Sequence, residues 1–206
     1  MSLDLAITAF VTLFVIIDPV GLTPLFVALT RGMTPPQRHS VGLRALVLSF
    51  AVLAIFGIGG EALLGAVGIG MPAFRIAGGM LLFLTAVDML FERRQPRREK
   101  NAQEAPLDDP TVFPLATPLI AGPGALATMI LLVGQHPGDL PAQMTVYGTM
   151  VLVLAITYLL FLAGGLIERG LGHSGVNVVT RLLGMLLAAL AVQFVLDGLS
   201  DFGFGG

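Results

Sequence analysis

Six long apolar runs, separated by short polar connections, constrain this chain more than any other feature. They extend from Leu5 to Thr30, Val41 to Gly60, Pro72 to Phe91, Thr111 to Gly134, Ala142 to Ile167 and Val176 to Leu196. About 20 apolar residues in helical form cross a hydrocarbon core of ~30 Å, so each run matches one span. Backbone that crosses lipid must satisfy its own hydrogen bonds, which a helix does within the segment. The expected fold is therefore all-α: a polytopic membrane protein of six transmembrane helices. Composition agrees, since the 206 residues are 55% hydrophobic and 12% charged, against roughly 25% charged residues in a soluble domain. No polar block is long enough to build a second core. Residues 1–206 read as a single transmembrane domain whose partner is the lipid bilayer.

Several function classes drop out. A net charge of -2 argues against nucleic acid as a partner. With no cysteine, disulfides, thiolate metal sites and thiol nucleophiles are excluded. His39, His136 and His173 fall in different connections, which leaves no metal site in view. The glycine-rich stretch from Gly57 to Gly70 lacks a phosphate-loop lysine and the G-x-G-x-x-G spacing. No serine sits in G-x-S-x-G, no H-E-x-x-H occurs, and Asp18 and Asp88 lie at different depths for paired-aspartate chemistry. The chain is thus not expected to be an enzyme, and no cofactor is implied. Its N-terminus, Met1-Ser2-Leu3-Asp4, lacks a basic leader region and reads as the start of a retained span.

Charge placement sets the expected orientation. The connection from Glu92 to Pro110 holds Arg93, Arg94, Arg97, Arg98, Lys100 and five acids, and reads as a solvated, mobile linker. If spans alternate, that linker shares a side with Arg31, Arg38, Arg44, Arg169 and Arg181, which is all but one of the 11 basic residues. Positive residues stay cytoplasmic, so both termini face outward. Glu61, Asp139, Asp197 and Asp201 fall on the outer side, where Arg75 is the basic exception.

Two spans carry residues that interrupt helices. The first contains Asp18-Pro19-Val20-Gly21-Leu22-Thr23-Pro24, and the fourth contains Thr117-Pro118-Leu119-Ile120-Ala121-Gly122-Pro123-Gly124. Proline lacks the amide its helical turn requires, and Pro19 biases Asp18 away from the helical region. Pro19, Pro24, Pro118 and Pro123 are therefore read as helix-breaking positions that line a cavity, because freed backbone groups are costly in lipid. Gly21 and Gly124 correspond at an offset of 103 residues, and Arg75-Ile76-Ala77-Gly78 corresponds to Arg181-Leu182-Leu183-Gly184 at an offset of 106. The chain reads as two three-helix halves, 1–91 and 111–206, joined by the cytoplasmic linker 92–110. Three is odd, so the second half enters from the opposite side, which makes an inverted repeat of the kind secondary transporters use.

At these residues the sequence resembles the MarC family of integral membrane proteins. The matching segments are Ile17-Asp18-Pro19-Val20-Gly21 with Pro24, Ala73-Phe74-Arg75-Ile76-Ala77-Gly78-Gly79, Pro118-Leu119-Ile120-Ala121-Gly122-Pro123-Gly124, and Arg181 to Gln193. They cover essentially the whole chain. The resemblance implies a multi-pass inner-membrane protein with both ends outside, and transport of small neutral amino acids. Where many members carry asparagine after the glycine of the first motif, this chain has Leu22, which removes an amide and leaves the Thr23 hydroxyl one position on.

The residues suggest how such a site would work. A carboxylate at Asp18, ~20 Å along the helix from Leu5, is expected to face water or ligand, where it holds a substrate ammonium or exchanges a coupling proton. Its structural alternative is an N-cap on the half-helix that follows. Half-helices starting near Leu22 and Gly124 present free amides to a carboxylate. Gly21, Gly122 and Gly124 permit close backbone approach, and Leu22, Thr23, Ala125 and Thr128 complete the candidate binding set. Arg75, Asp88, Arg181 and Gln193 are candidates for gating or coupling, with snorkelling and interfacial placement as the alternatives. The leading function is an alternating-access carrier of a small neutral amino acid, with proton or sodium coupling left open. The alternatives are a channel or efflux protein for other small solutes, or a non-transporting membrane protein linked to antibiotic resistance. Direction of transport and oligomeric state stay open, an oligomer included.

Overall fold

A computed structural model describes residues 3–103 and 109–203 of the chain. Residues 104–108 of the basic connection, and the Arg169 and His173 side chains, lie outside the described residues. The described residues are helical, with no strand among them. The elements are α1 (Leu3–Ile17), α2 (Pro19–Leu29), α3 (Pro35–Val67), α4 (Met71–Leu90), α5 (Arg94–Gln103), an irregular segment at Thr111–Ile120, α6 (Pro123–Gly134), α7 (Leu140–Leu162) and α8 (Gly164–Asp201). Five stretches are long and apolar enough to cross a bilayer, and six when Thr111–Ile120 and α6 count as one bent span.

Local chemistry sets the boundaries. Proline stands in the first turn of α2, α3, α4, α6 and α7, where its missing amide costs nothing. The Thr34 amide donates to Gln37 Oε1 at 2.8 Å ahead of α3, and the Asp139 carboxylate accepts from the Ala142 amide at 3.0 Å to start α7. With no breaker between Pro35 and the left-handed Gly68 (φ 80), α3 reaches 33 residues and outruns the apolar stretch from Val41 to Gly60 at both ends. The fifth span closes at Leu162, short of Ile167, because the chain turns at Ala163 and α8 begins at Gly164. Gly172 (φ 58, ψ -177) kinks α8, whose membrane-length part is Ser174–Asp201.

Chain direction gives the molecule two ends. At one, Arg31, Arg38, Arg44, α5 and Arg181 gather; at the other are Glu61, Asp139, Asp197 and Asp201. These are the basic end and the acidic end below. The outward faces carry Val47, Ile55, Ile58, Leu84, Val151 and Leu182, all exposed, as suits a surface solvated by lipid. The interior is packed by Leu13, Ile17, Leu22, Leu53, Leu82 and Met129, and by Phe26 stacked on Phe161 with centroids 4.2 Å apart. Helices α4 and α8 lie antiparallel along most of their length. A Cβ on Gly79 would come within 2.8 Å of the Ala191 carbonyl, one on Gly184 within 2.9 Å of Met89 Cβ, and one on Gly198 within 2.7 Å of Ile76. Small residues let the two backbones approach as far as packing in lipid favours.

The linker reading needs correction. Arg94–Gln103 is a helix, and the Arg98 side chain is buried rather than solvated. A polar decamer with Pro96 has little reason to fold alone; it folds here because its arginines meet the Asp18 carboxylate and the Ile16 and Ile17 carbonyls of the first span.

Candidate functional site

Asp18 stands where the first span changes conformation. Its φ of 57 and ψ of 64 are left-handed, a region Asp tolerates better than most residues, and the following Pro19 disfavours the right-handed alternative. The ladder continues across it: the Asp18 amide donates to the Phe14 carbonyl at 2.9 Å and the Leu22 amide to the Asp18 carbonyl at 2.9 Å. Turning that one residue aims the carboxylate along the start of α2, where Oδ1 accepts from the Gly21 amide at 3.1 Å. The N-cap alternative is therefore realised, and the α2 N-terminus is filled by the chain's own carboxylate.

The remaining partners come from far along the sequence. Arg98 Nη1 donates to Asp18 Oδ2 at 2.9 Å, in a pair whose side chains are 7% and 0% exposed. Its Nη2 donates to the Ile17 carbonyl at 3.1 Å. Arg94 donates to the Ile16 carbonyl, Gln95 Nε2 to the Gly21 carbonyl at 2.9 Å, and Thr180 Oγ1 to Asp18 Oδ1 at 3.5 Å. Asp18 thus faces neither water nor open space, against the expectation from sequence; α5 covers it. Burial pulls the Arg94 guanidinium down to about 9, with Arg98 adding repulsion while Asp18 and Asp88 oppose the shift. Burial likewise lowers Arg98, and attraction and a hydrogen bond from Asp18 counter it. Gly21 is tight because a Cβ there would run into the Asp18 carboxylate and lie 2.5 Å from Gln95 Nε2.

The fourth span departs from helix by another route. Phe113 and Thr117 are extended (ψ 125 and 123), the bonds to Pro114 and Pro118 are cis, and the axis turns by 55° before α6. Gly122 abuts the Pro118 carbonyl, which a Cβ would approach to 2.5 Å. The first α6 amide to find a carbonyl in the ladder is that of Leu126, bonded to Gly122 at 3.0 Å, so the Gly124 and Ala125 amides precede it at the helix N-terminus. That N-terminus rests against the first interruption: a Cβ on Gly124 would lie 2.7 Å from Ile16 Cδ1.

The other predicted residues divide by position. Leu22 is buried in the core, and the Thr23 and Thr128 hydroxyls bond back to the Pro19 and Gly124 carbonyls, each at 2.8 Å. Pro19 is buried, Pro118 half-buried and Pro123 exposed; Pro24, half-buried, lies inside α2 and does not break it, against the expectation from sequence. At the acidic end Arg75 pairs with Asp201 at 2.5 Å, and Gln193 donates to Asp197 at 2.7 Å. At the basic end Arg181 pairs with Glu92 at 3.2 Å and Asp88 with Arg97 at 2.5 Å. The structure brings Asp18 and Gly21 together, sets Gly124 against the Ile16 side chain, and leaves Arg75, Asp88, Arg181 and Gln193 at the two ends. A cavity of about 340 Å³ at the basic end, lined by Met33, Ser40, Arg44 and Asp109 among others, touches none of the predicted set.

Sequence reasoning missed Arg94, Gln95, Arg98 and Thr180. Arg94 and Arg98 are four residues apart, the spacing that puts two side chains on one helix face. A second signal was the carboxylate itself: Asp18 is deep in a span, and the first span carries no basic residue to pair with it.

Comparison with known proteins agrees with this architecture. The model of the MarC family integral membrane proteins matches residues 3–202. A UPF0056 membrane protein of Archaeoglobus fulgidus is 38% identical over 195 residues, 94% of this chain and 91% of the relative. The UPF0056 inner membrane protein YhgN of Escherichia coli K12 is 34% identical, covering 94% and 95% of the two chains. The UPF0056 membrane protein YvbG of Bacillus subtilis is 32% identical, covering 97% and 96%. No solved structure matches. With a family model spanning nearly every residue and relatives aligned end to end, the chain belongs to the MarC family of integral membrane proteins.

Proposed function

We propose that this protein is a secondary carrier, not an enzyme, that moves small neutral amino acids such as glycine, alanine or serine by alternating access. The observation that carries the reading is a fully buried carboxylate, Asp18, at the conformational break of a membrane-length helix, with the N-terminus of α6 packed on Ile16 two residues before it. An intramembrane charge is costly to maintain and marks solute or ion pathways. A zwitterion matches the two poles on offer: its ammonium at Asp18, its carboxylate at the Gly124 and Ala125 amides. The α2 N-terminus, which Asp18 itself caps, takes no part.

Reciprocal packing supports two inverted halves. Each half lays its later helices on the broken span of the other: α3 on Thr111–Ile120 and α6, α7 on α1 and α2, α4 on α6, and α8 on α2. Arg75 near the start of α4 pairs with Asp201 at the end of α8, while Arg181 in the first turns of the membrane part of α8 pairs with Glu92 just past the end of α4. On this reading the two pairs sit at opposite ends of two inverted halves, and in rocking between states they serve as closures there. Orientation follows the charge bias: the basic end, with linker 92–110, lies in the cytoplasm and both termini outside, in the inner membrane.

Counterflow of radiolabelled glycine, alanine and serine in proteoliposomes tests the reading, with and without proton and sodium gradients. Saturable counterflow that Asp18→Asn abolishes is the expected result. Failure of all twenty amino acids to exchange overturns it, and unsaturable conductance without counterflow marks a channel.

A further inference from the structure

The carbonyls around Asp18 share one property: each is pointed at a nitrogen donor of α5. Ile16 and Ile17 are the last residues of α1, so their carbonyls sit at the negative end of its dipole. The Gly21 carbonyl joins them from the first turn of α2, and the Asp18 carboxylate lies among the three. Every protein donor that α5 places here is nitrogen: Arg94 on Ile16, Arg98 on Ile17 and Asp18, and Gln95 on Gly21. An oxygen cradle with one formal negative charge is complementary to a monovalent cation, and α5 supplies that cation from within the chain.

We propose that the break of the first span is a monovalent-cation site made of Asp18 and the Ile16, Ile17 and Gly21 carbonyls, and that α5 occupies it as a tethered competitor which an incoming ammonium group or sodium ion must displace. The proposal rests on the carrier reading for the identity of the ammonium compound. Competition follows from geometry, because Arg98 takes the same carboxylate oxygen a ligand would need and Gln95 and Arg94 take the neighbouring carbonyls. Arg97 on Asp88 ties α5 to the end of α4, so undocking breaks an exposed ion pair as well. While α5 is docked the site is shut from the basic end. Apparent affinity is then the intrinsic affinity multiplied by the undocked fraction, so weakening the dock tightens binding without a new ligand contact.

The cysteine-free chain makes the test direct. Thr34→Cys and Lys100→Cys, both exposed and outside the cradle, carry spin labels just ahead of α3 and on α5, and their separation is read by pulsed electron resonance in lipid nanodiscs. One dominant short distance is expected in choline buffer. A second, longer population is expected on adding either alanine without sodium, the ammonium arm, or sodium chloride without amino acid, the metal arm. Asp18→Asn should give the longer population with no ligand. Arg98→Gln keeps the carboxylate and guards against a misfolded Asp18 variant; it should lower the ligand concentration for half release about tenfold if α5 is docked ~90% of the time. A dominant short distance that persists in both variants, or that alanine and sodium each leave unchanged at saturation, overturns the proposal. Release by sodium with no amino acid counterflow keeps the cradle and removes the amino acid reading. Counterflow of alanine with α5 docked throughout keeps the carrier and removes the cradle.

Discussion

Spans one and four use the same residues, proline and glycine, to leave the helical ladder, yet they end in different shapes. The first departs at Asp18 alone, keeps the hydrogen bonds on either side, and Leu3–Leu29 runs on as one 27-residue span. The fourth departs at Phe113 and Thr117 and bends by 55°. One acid at the break accounts for the difference. Asp18 caps the Gly21 amide itself, and Arg98, Arg94 and Gln95 take the carboxylate and the neighbouring Ile17, Ile16 and Gly21 carbonyls, so side chains from α5 complete the joint. Span four has Ala121 at the place the 103-residue offset sets against Asp18, buried and without charge, and its backbone closes through the Ala121 amide on Ala116 and the Leu126 amide on Gly122. The first break is a charged joint covered by a distant helix; the second is a rigid elbow.

That contrast can be broken most forcefully at the ion pair. Asp18→Asn leaves a buried, unpaired Arg98, and removing one member of such a pair costs about 3–5 kcal/mol. The double variant with Arg98→Gln should recover most of the loss, as a double-mutant cycle of denaturation in detergent would register. Thr117→Val, at the elbow, should change stability by less than about 0.5 kcal/mol. Similar costs at the two breaks would erase the distinction.

Glycine substitutions sharpen it. A Cβ at Gly122 meets the Pro118 carbonyl, which is backbone, whereas one at Gly21 meets the Asp18 and Gln95 side chains. Overpacking costs about 1–3 kcal/mol, and the upper end belongs where the neighbour cannot rotate away. Gly122→Ala is therefore expected to destabilise more in thermal unfolding, while Gly21→Ala loosens α5 and raises its hydrogen exchange.

The two end pairs test the symmetry of the halves. Arg75 is 13% exposed and Arg181 54%, and exposed pairs contribute about 0–1 kcal/mol. Arg75→Gln should cost more than Arg181→Gln in the same unfolding assay, and the reverse order would argue against Arg75 as the tighter closure.

The smallest expected effects are in pH, at opposite ends of the scale. Arg94 is lowered to about 9 when folded, so above that pH the unfolded chain binds more protons and stability rises toward the ordinary arginine range. Arg94→Gln should flatten that alkaline limb. Asp109, beside the start of span four, is held below the ordinary carboxylate value by hydrogen bonds from the Thr111 hydroxyl and amide. Its contribution is present above the ordinary value and is lost as pH falls through the lowered one, so Asp109→Asn should flatten the acid limb of a chemical-denaturation series.

Much of the architecture was legible from residues alone. Apolar runs placed the spans to within a few residues, except where α3 outran its run for want of a breaker and where Ala163 closed the fifth span early. Pro19 with Asp18 located the first break, and Gly122 with Pro123 the start of α6. Asp18 and Gly124 were read into one central site; Gly124 packs on the Ile16 side chain, while Asp18 turns to Gly21, Arg98 and Thr180. The docking of α5 was not legible. Charge density and Pro96 mark 92–110 as solvated, and a polar decamer gives no local reason to be buried.

Hydropathy and chain length fixed an all-helical membrane domain, because lipid offers a backbone no partner and each apolar run must close its own hydrogen bonds. Pro19, Pro118 and Pro123 marked where that closure changes, since the missing amide is a property of proline itself. Tertiary structure alone decided what fills the gaps. The choice of Arg98 for Asp18, across 80 residues, depends on a guanidinium and a carboxylate that are each expensive to bury separately and become tolerable only when the fold brings them into contact.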